Sequence, residues 1–228
     1  EKINTHWVSE GETLYAIAWR YNLDANRLAA ANGLNSNARI YRGQVLRLDV
    51  HSALAQRRQV SARESQAASK SATSAAHKPA PHNNGQEKTA RPANADRMVA
   101  GSWRWPAPGS VLERFNFRRG NGHKGLDISG RTGQSVHAAH NGVVVYAGSG
   151  LPAYGNLLIV KHSDEYLSAY AHNSRLTVRE GDRVIAGQKI AELGRTGTTH
   201  AHLHFEIRKR GVPIDPLALL PRRSSGLG

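Results

Sequence analysis

The chain has 228 residues, 39% of them hydrophobic, and no cysteine, which excludes disulfide frameworks, cysteine-based zinc sites and thiol catalysis. Its formal net charge is +14, a balance that favours a polyanionic partner: a carboxylate-rich polymer, an anionic surface or nucleic acid. No stretch approaches the ~18 apolar residues of a membrane-spanning helix.

Residues 5–50 are compact and patterned. A short strand-like start at Trp7-Val8 leads into Gly11-Glu12-Thr13, a helix entry with Thr13 as N-cap. Leu14, Ile17 and Ala18 recur at helical spacing, and Asn22 ends that helix. A second helix is predicted from about Asp24 to Ala31, with Leu28 and Ala29 facing inward. Asn32-Gly33-Leu34 turns the chain out of it, and Gly43 to Leu48 closes with an alternating strand. Residues 51–100 hold no aromatic residue and no isoleucine. Such a segment buries too little apolar area to offset its ordering entropy and reads as a linker. Its Ala-rich half, Ala53 to Ala76, could be helical when docked. From Trp103 the aromatic and β-branched residues return, in short strand patterns split by glycines that run to about residue 222 before a short tail, 223–228. The charge follows these segments: roughly +1 over 1–50, +5 over 51–100 and +8 over 101–228.

The last segment carries the chemistry. In His123-Lys124-Gly125-Leu126-Asp127 an extended backbone would hold the two end residues ~13 Å apart at ~3.3 Å per residue. A shared metal needs ligand bonds of ~2 Å, so the chain must bend, and Gly125 permits it. His202-Leu203-His204-Phe205-Glu206-Ile207 alternates with period two. His202, His204 and Glu206 therefore share one face of a strand, with Leu203, Phe205 and Ile207 on the other. Neighbours on that face stand ~6.6 Å apart, so one histidine can bind a metal while the next stands beside it. Tyr170-Ala171-His172 ends another alternating run. Three ligands of N/N/O type leave a position open for water, the pattern of catalytic zinc. His200 alternates in phase with His202 but reads as a turn residue, and His137 and His140 read as non-functional.

Two resemblances sharpen these expectations. Gly11-Glu12-Thr13-Leu14 with Ile17-Ala18, then Ala31-Asn32-Gly33-Leu34, then Ile40-Tyr41-Arg42-Gly43-Gln44-Val45-Leu46 resemble a LysM domain. That resemblance implies a module over 5–50 that binds N-acetylglucosamine-containing glycans beside its first helix. From about Trp105 to Pro216 the chain resembles the M23 family of LytM-type, or lysostaphin-like, peptidases. The likeness includes the two histidine motifs, Tyr154-Gly155-Asn156, Tyr170-Ala171-His172, Gly181-Asp182 and Gly187-Gln188. It implies an α+β chain: a small βααβ module, the 51–100 linker, and a mainly antiparallel β domain over 101–222. It also implies Zn2+ held by His123, Asp127 and His204, with His172 and His202 as the catalytic, non-ligand histidines. One of these two would take a proton from water and help hold a tetrahedral oxyanion. The expected activity is zinc-dependent endopeptidase cleavage of peptidoglycan cross-links.

One departure supplies the alternative. Thr196-Gly197-Thr198-Thr199-His200-Ala201-His202 is a residue shorter than the common run and lacks its Gly-Pro. With the ending Asp215-Pro216-Leu217 to Leu220-Pro221, it looks more like the LysM–LytM proteins that activate cell-separation N-acetylmuramoyl-L-alanine amidases. Relatives of that kind have usually lost their zinc ligands, whereas all five site residues are intact here. The alternative is therefore a latent or non-catalytic activator with an amidase partner. Both readings place the chain in the periplasm or cell envelope. Because it opens on Glu1, a signal peptide or lipid anchor would lie upstream. Arg118, Arg119, Arg195, Arg208 and Lys209 could draw the carboxylates of wall peptides. His77, His82, Asn83 and Asn84 suggest a linker that folds back over the site. Nucleic acid is not expected as a partner, since few aromatics accompany the basic charge to stack bases.

Overall fold

The computed structural model describes residues 4–35, 38–50, 102–118 and 121–223. The expected linker, with its fold-back residues His77, His82, Asn83 and Asn84, lies outside the described residues, as does Arg119.

The first module is β1 (Thr5–Trp7), α1 (Leu14–Arg20), α2 (Ala25–Ala31) and β2 (Val45–Arg47), with the two strands paired antiparallel. Thr13 caps α1 by accepting from the Ala16 N–H at 3.1 Å, and Asp24 caps α2 by accepting from the Arg27 N–H at 2.8 Å. Asn22 follows α1 at φ 54°, a left-handed conformation that asparagine tolerates. Leu14, Ile17, Leu28, Leu46 and Leu48 form the core of this βααβ unit.

The second unit contains β3 (Val111–Glu113), β4 (Leu126–Ser129), β5 (Ser135–His137), β6 (Gly142–Gly148), β7 (Asn156–Lys161), β8 (Tyr166–Asn173), β9 (Arg175–Leu176), β10 (Arg183–Val184), β11 (Lys189–Glu192), β12 (His202–Lys209) and β13 (Val212–Ile214). The large sheet runs β10-β6-β7-β8-β12-β4-β3, with β13 also on β12, and a small sheet runs β5-β11-β9. Every pairing is antiparallel. One face of the large sheet (Ile128, Leu158, Val160, Leu203, Phe205) packs with Val136, Ile190 and Leu193 from the small sheet and its loops into the main core.

The opposite face of the large sheet is not open either. Ala16 and Trp19 of α1 pack there against Tyr146, Leu157, Ile159, Ala169 and Ala171. This explains two sequence features together. Leu157 to Val160 are all fully buried because both faces of β7 are covered. Every residue of α1 from Leu14 to Trp19 is buried because α2 and β2 take one side and the sheet takes the other.

Candidate metal centre

The centre is built on β12, with β4 and β8 as its neighbours. His204 stands directly opposite Asp127 on β4 and Ala171 on β8, and antiparallel partners bring their side chains within reach. The bend before β4 adds His123. Gly125 is required there for close approach: a Cβ would lie 2.2 Å from the Phe205 carbonyl oxygen. Asp127 Oδ1 lies 2.7 Å from His204 Nδ1 and 3.1 Å from His123 Nε2, and those two nitrogens are 3.2 Å apart. Donors bound tetrahedrally at about 2.0–2.1 Å to one zinc ion are separated by about 3.3 Å. The 3.1 and 3.2 Å separations approach that value and the 2.7 Å one is a hydrogen-bond distance short of it; the N/N/O donor set suits zinc, and among the described residues these three form the one group that could hold a metal.

A chain of contacts orients His204 from behind. Its Nε2 lies 3.1 Å from Glu206 Oε1, which also accepts from the Tyr154 hydroxyl at 2.9 Å. Glu206 Oε2 in turn accepts from Arg208 Nε at 2.9 Å. A histidine that gives its Nε2 proton to a carboxylate presents the Nδ1 lone pair to a metal. Burial works against the charged form of His204, yet Asp127 and Glu206 outweigh it and raise its pKa to about 9. Burial likewise opposes ionisation of Glu206, but Arg208 and His204 push it down to about 2. Asp127 is held well below the usual carboxylate range by His123 and His204, against its own desolvation. Desolvation lowers the His123 pKa less than Asp127 raises it, so the net shift is upward.

His172 and His202 face each other with ring centroids 4.8 Å apart. His202 Nε2 is 3.4 Å from Asp127 Oδ2, and its Nδ1 lies 3.1 Å from the His200 carbonyl. His172 Nδ1 donates to the Thr196 carbonyl at 2.8 Å, which leaves Nε2 with the lone pair. Desolvation, reinforced by His202 and His204, lowers the His172 pKa to about 4 and keeps the ring neutral. Alternation along β8 would turn His172 into the core beside Tyr170. A bulge instead intervenes where β7 shifts register between Asn156 and Leu158, and His172 takes φ 64°. The extra residue aims the ring back toward β12.

His200 is exposed and stacks on His202 at 4.5 Å. His140 is buried away from the centre, beside Trp103 and His162. Arg208, expected among residues that attract carboxylates, is instead fully buried. It donates to the Trp19 carbonyl at 2.7 Å and lies 3.5 Å from the Trp19 ring centre. Trp19 was not among the expected site residues, and neither Tyr154, noted only as part of a motif, nor Arg208, expected to draw carboxylates, was expected behind His204. The alternation of His202, His204 and Glu206 continues in phase to Arg208, and the run Leu14-Tyr15-Ala16-Ile17-Ala18-Trp19 is apolar on all sides. Those two patterns are the signals that could have found Arg208 and Trp19; neither points to Tyr154.

By fold and site the chain is a LysM-bearing protein with an M23-type domain. The model of peptidase family M23 matches residues 121–216, and that of the LysM domain matches residues 6–49. The lipoprotein NlpD/LppB homolog of Pseudomonas aeruginosa is 44% identical over 239 residues, covering 95% of this chain and 76% of that protein. The uncharacterized lipoprotein YgeR of Escherichia coli K12 is 37% identical, covering 97% of this chain and 83% of that protein. The murein hydrolase activator NlpD of the same strain is 55% identical over 122 residues, covering 54% of this chain and 32% of that protein. The chain belongs to the NlpD/LppB family.

Proposed function

We propose that this protein is a murein hydrolase activator of the cell envelope. Its LysM module, over residues 5–50, would hold it to the N-acetylglucosamine glycan of peptidoglycan, and its M23 domain, over 101–222, would engage an N-acetylmuramoyl-L-alanine amidase. The observation that carries this reading is the 55% identity over 122 residues to a protein named as a murein hydrolase activator. Relatives named as lipoproteins, including an outer membrane antigenic lipoprotein of Haemophilus influenzae, favour an upstream lipid anchor and the periplasmic face of the envelope. The test is dye release from labelled sacculi by an amidase with and without the purified chain. Release that needs both proteins is expected. Release by the chain alone, lost on adding EDTA, would replace this reading with the second one.

The second reading is zinc-dependent cleavage of wall peptides, favoured by donor atoms 2.7–3.2 Å apart on His123, Asp127 and His204. Bound there, zinc would polarise an amide carbonyl and activate water. Around it, His172 has a free Nε2 to accept a proton, His202 stands against Asp127 beside it, and Glu206 fixes the ring of His204. The two readings are compatible, with hydrolysis latent in an activator. Metal analysis of the purified chain tests the ligand set: about one zinc per chain is expected, falling to background in His123→Ala. Undiminished zinc in that variant would remove these ligands from the proposal.

A further inference from the structure

We propose that the LysM module is a reversible cap seated on the M23 sheet beside the metal centre, and that this sheet face becomes available only when the module lifts. The capped face is continuous with the centre. His204, Glu206 and Arg208 project in turn from one face of β12, and the Trp19 ring covers the far end over Arg208. Tyr154 ties the two together: its hydroxyl meets Glu206, and its ring stands edge-on to Trp19 with centroids 6.5 Å apart. Ala169 and Ala171 on β8 leave room for a helix to lie close to the sheet.

The contact has the make-up of one that opens. Around an apolar centre of Ala16 and Trp19 on Leu157, Ile159, Ala169 and Ala171, its edges are polar: Thr13 Oγ1 to the Val145 carbonyl at 3.3 Å, Arg20 to the Gly150 carbonyl at 3.0 Å, and Asn26 to the Asp164 carbonyl at 3.2 Å. Beneath α1 lies the Glu206–Arg208 ion pair, with both side chains at most 1% exposed. A buried pair recovers part of its desolvation penalty when water returns, which offsets part of what the 2.7 Å bond from Arg208 to the Trp19 carbonyl contributes to holding the cover down. Inter-domain interfaces within one chain generally resemble transient ones. The gating role rests on the activator reading above; the docking does not.

Gly211, in the turn between β12 and β13 and away from the metal centre, gives the means of testing this. It has φ +81°, and a Cβ there would lie 2.4 Å from the Leu23 carbonyl carbon and 2.5 Å from the Asp24 nitrogen, both backbone atoms of the LysM module. Gly211→Asn keeps a residue that tolerates this φ while wedging the modules apart. Because the chain lacks cysteine, Ile159→Cys places a single reporter thiol under α1, on a residue that is 0% exposed. Thiol labelling of the full-length reporter is expected to be slow. It should become about tenfold faster with Gly211→Asn, as when the closed state loses about 1.4 kcal/mol. Trp19→Ala should act in the same direction without touching the turn. In the otherwise native chain, Gly211→Asn should raise amidase stimulation several-fold. Fast labelling of the parent, or no acceleration in either variant, overturns the cap. Acceleration with stimulation held at the parental level overturns the gating. Should neither form stimulate an amidase while the wedge unmasks EDTA-sensitive muropeptide release, the cap stands and the activator reading falls.

Discussion

Two groups of histidines lie on opposite faces of the large sheet, and their difference shows what sets the candidate metal centre apart. His140 and His162 meet Trp103 in tilted or edge-on contacts, and the ring nitrogens of His162 meet a carbonyl and a hydroxyl rather than carboxylates. His162 is held by the Asn141 carbonyl and the Ser168 hydroxyl, each at 2.7 Å, and burial pushes its pKa down to about 3. His123 and His204 share Asp127, and His204 also meets Glu206. Burial alone makes a neutral structural imidazole, whereas burial beside two carboxylates makes a charge-accepting site. Histidine count is the same kind of signal in both places; the acids separate them.

Substitutions should break or sharpen that contrast. The largest effect is expected for Asp127→Ala, which removes the oxygen both histidines face. Zinc affinity, measured by competition with a chromophoric chelator, should fall by more than the ten- to hundred-fold typical of losing an outer partner. Glu206→Gln should fall within that range of about ten- to hundred-fold, since it weakens the acceptor behind His204 without removing a ligand. An unchanged affinity would show that Glu206 serves only the cap. His162→Phe should leave zinc binding within about twofold while lowering stability by about 1–3 kcal/mol, because two buried hydrogen bonds go. Loss of zinc in that variant would erase the distinction between the groups.

The smallest expected effect is one of pH. The folded pKa of His162 lies below its ordinary value. The unfolded chain therefore binds a proton near pH 6.5 that the folded chain refuses. This contribution is fully present above that pH and declines as pH falls from about 6.5 toward 3. His172, lowered to about 4, acts in the same direction. Denaturant midpoints taken across this window should fall less steeply in His162→Phe than in the parent.

Much of the centre was legible because its signals are local. The alternation from His202 to Ile207 divided that strand into two faces, and the bend between His123 and Asp127 followed from their spacing. Gly125 was expected to permit that bend through its backbone freedom; in the structure it is needed because the Phe205 carbonyl passes too close for any Cβ. The alternation of β8 taken alone would have sent His172 the wrong way, because a bulge depends on the partner strand. The hydrolase expectation drew on intact ligands, while the similarity to named activators speaks for the alternative.

The amino-acid sequence by itself determined the βααβ module, its Thr13 cap, and the strand faces. Caps act over three residues and pleats over two, so neither needs a distant partner. Only the tertiary structure decided that Asp127 stands opposite His204, that His172 is turned back toward β12, and that α1 covers the sheet over Glu206 and Arg208. Each depends on register or docking between segments far apart in the chain, where one strand's pattern admits many partners and only the packed whole selects one.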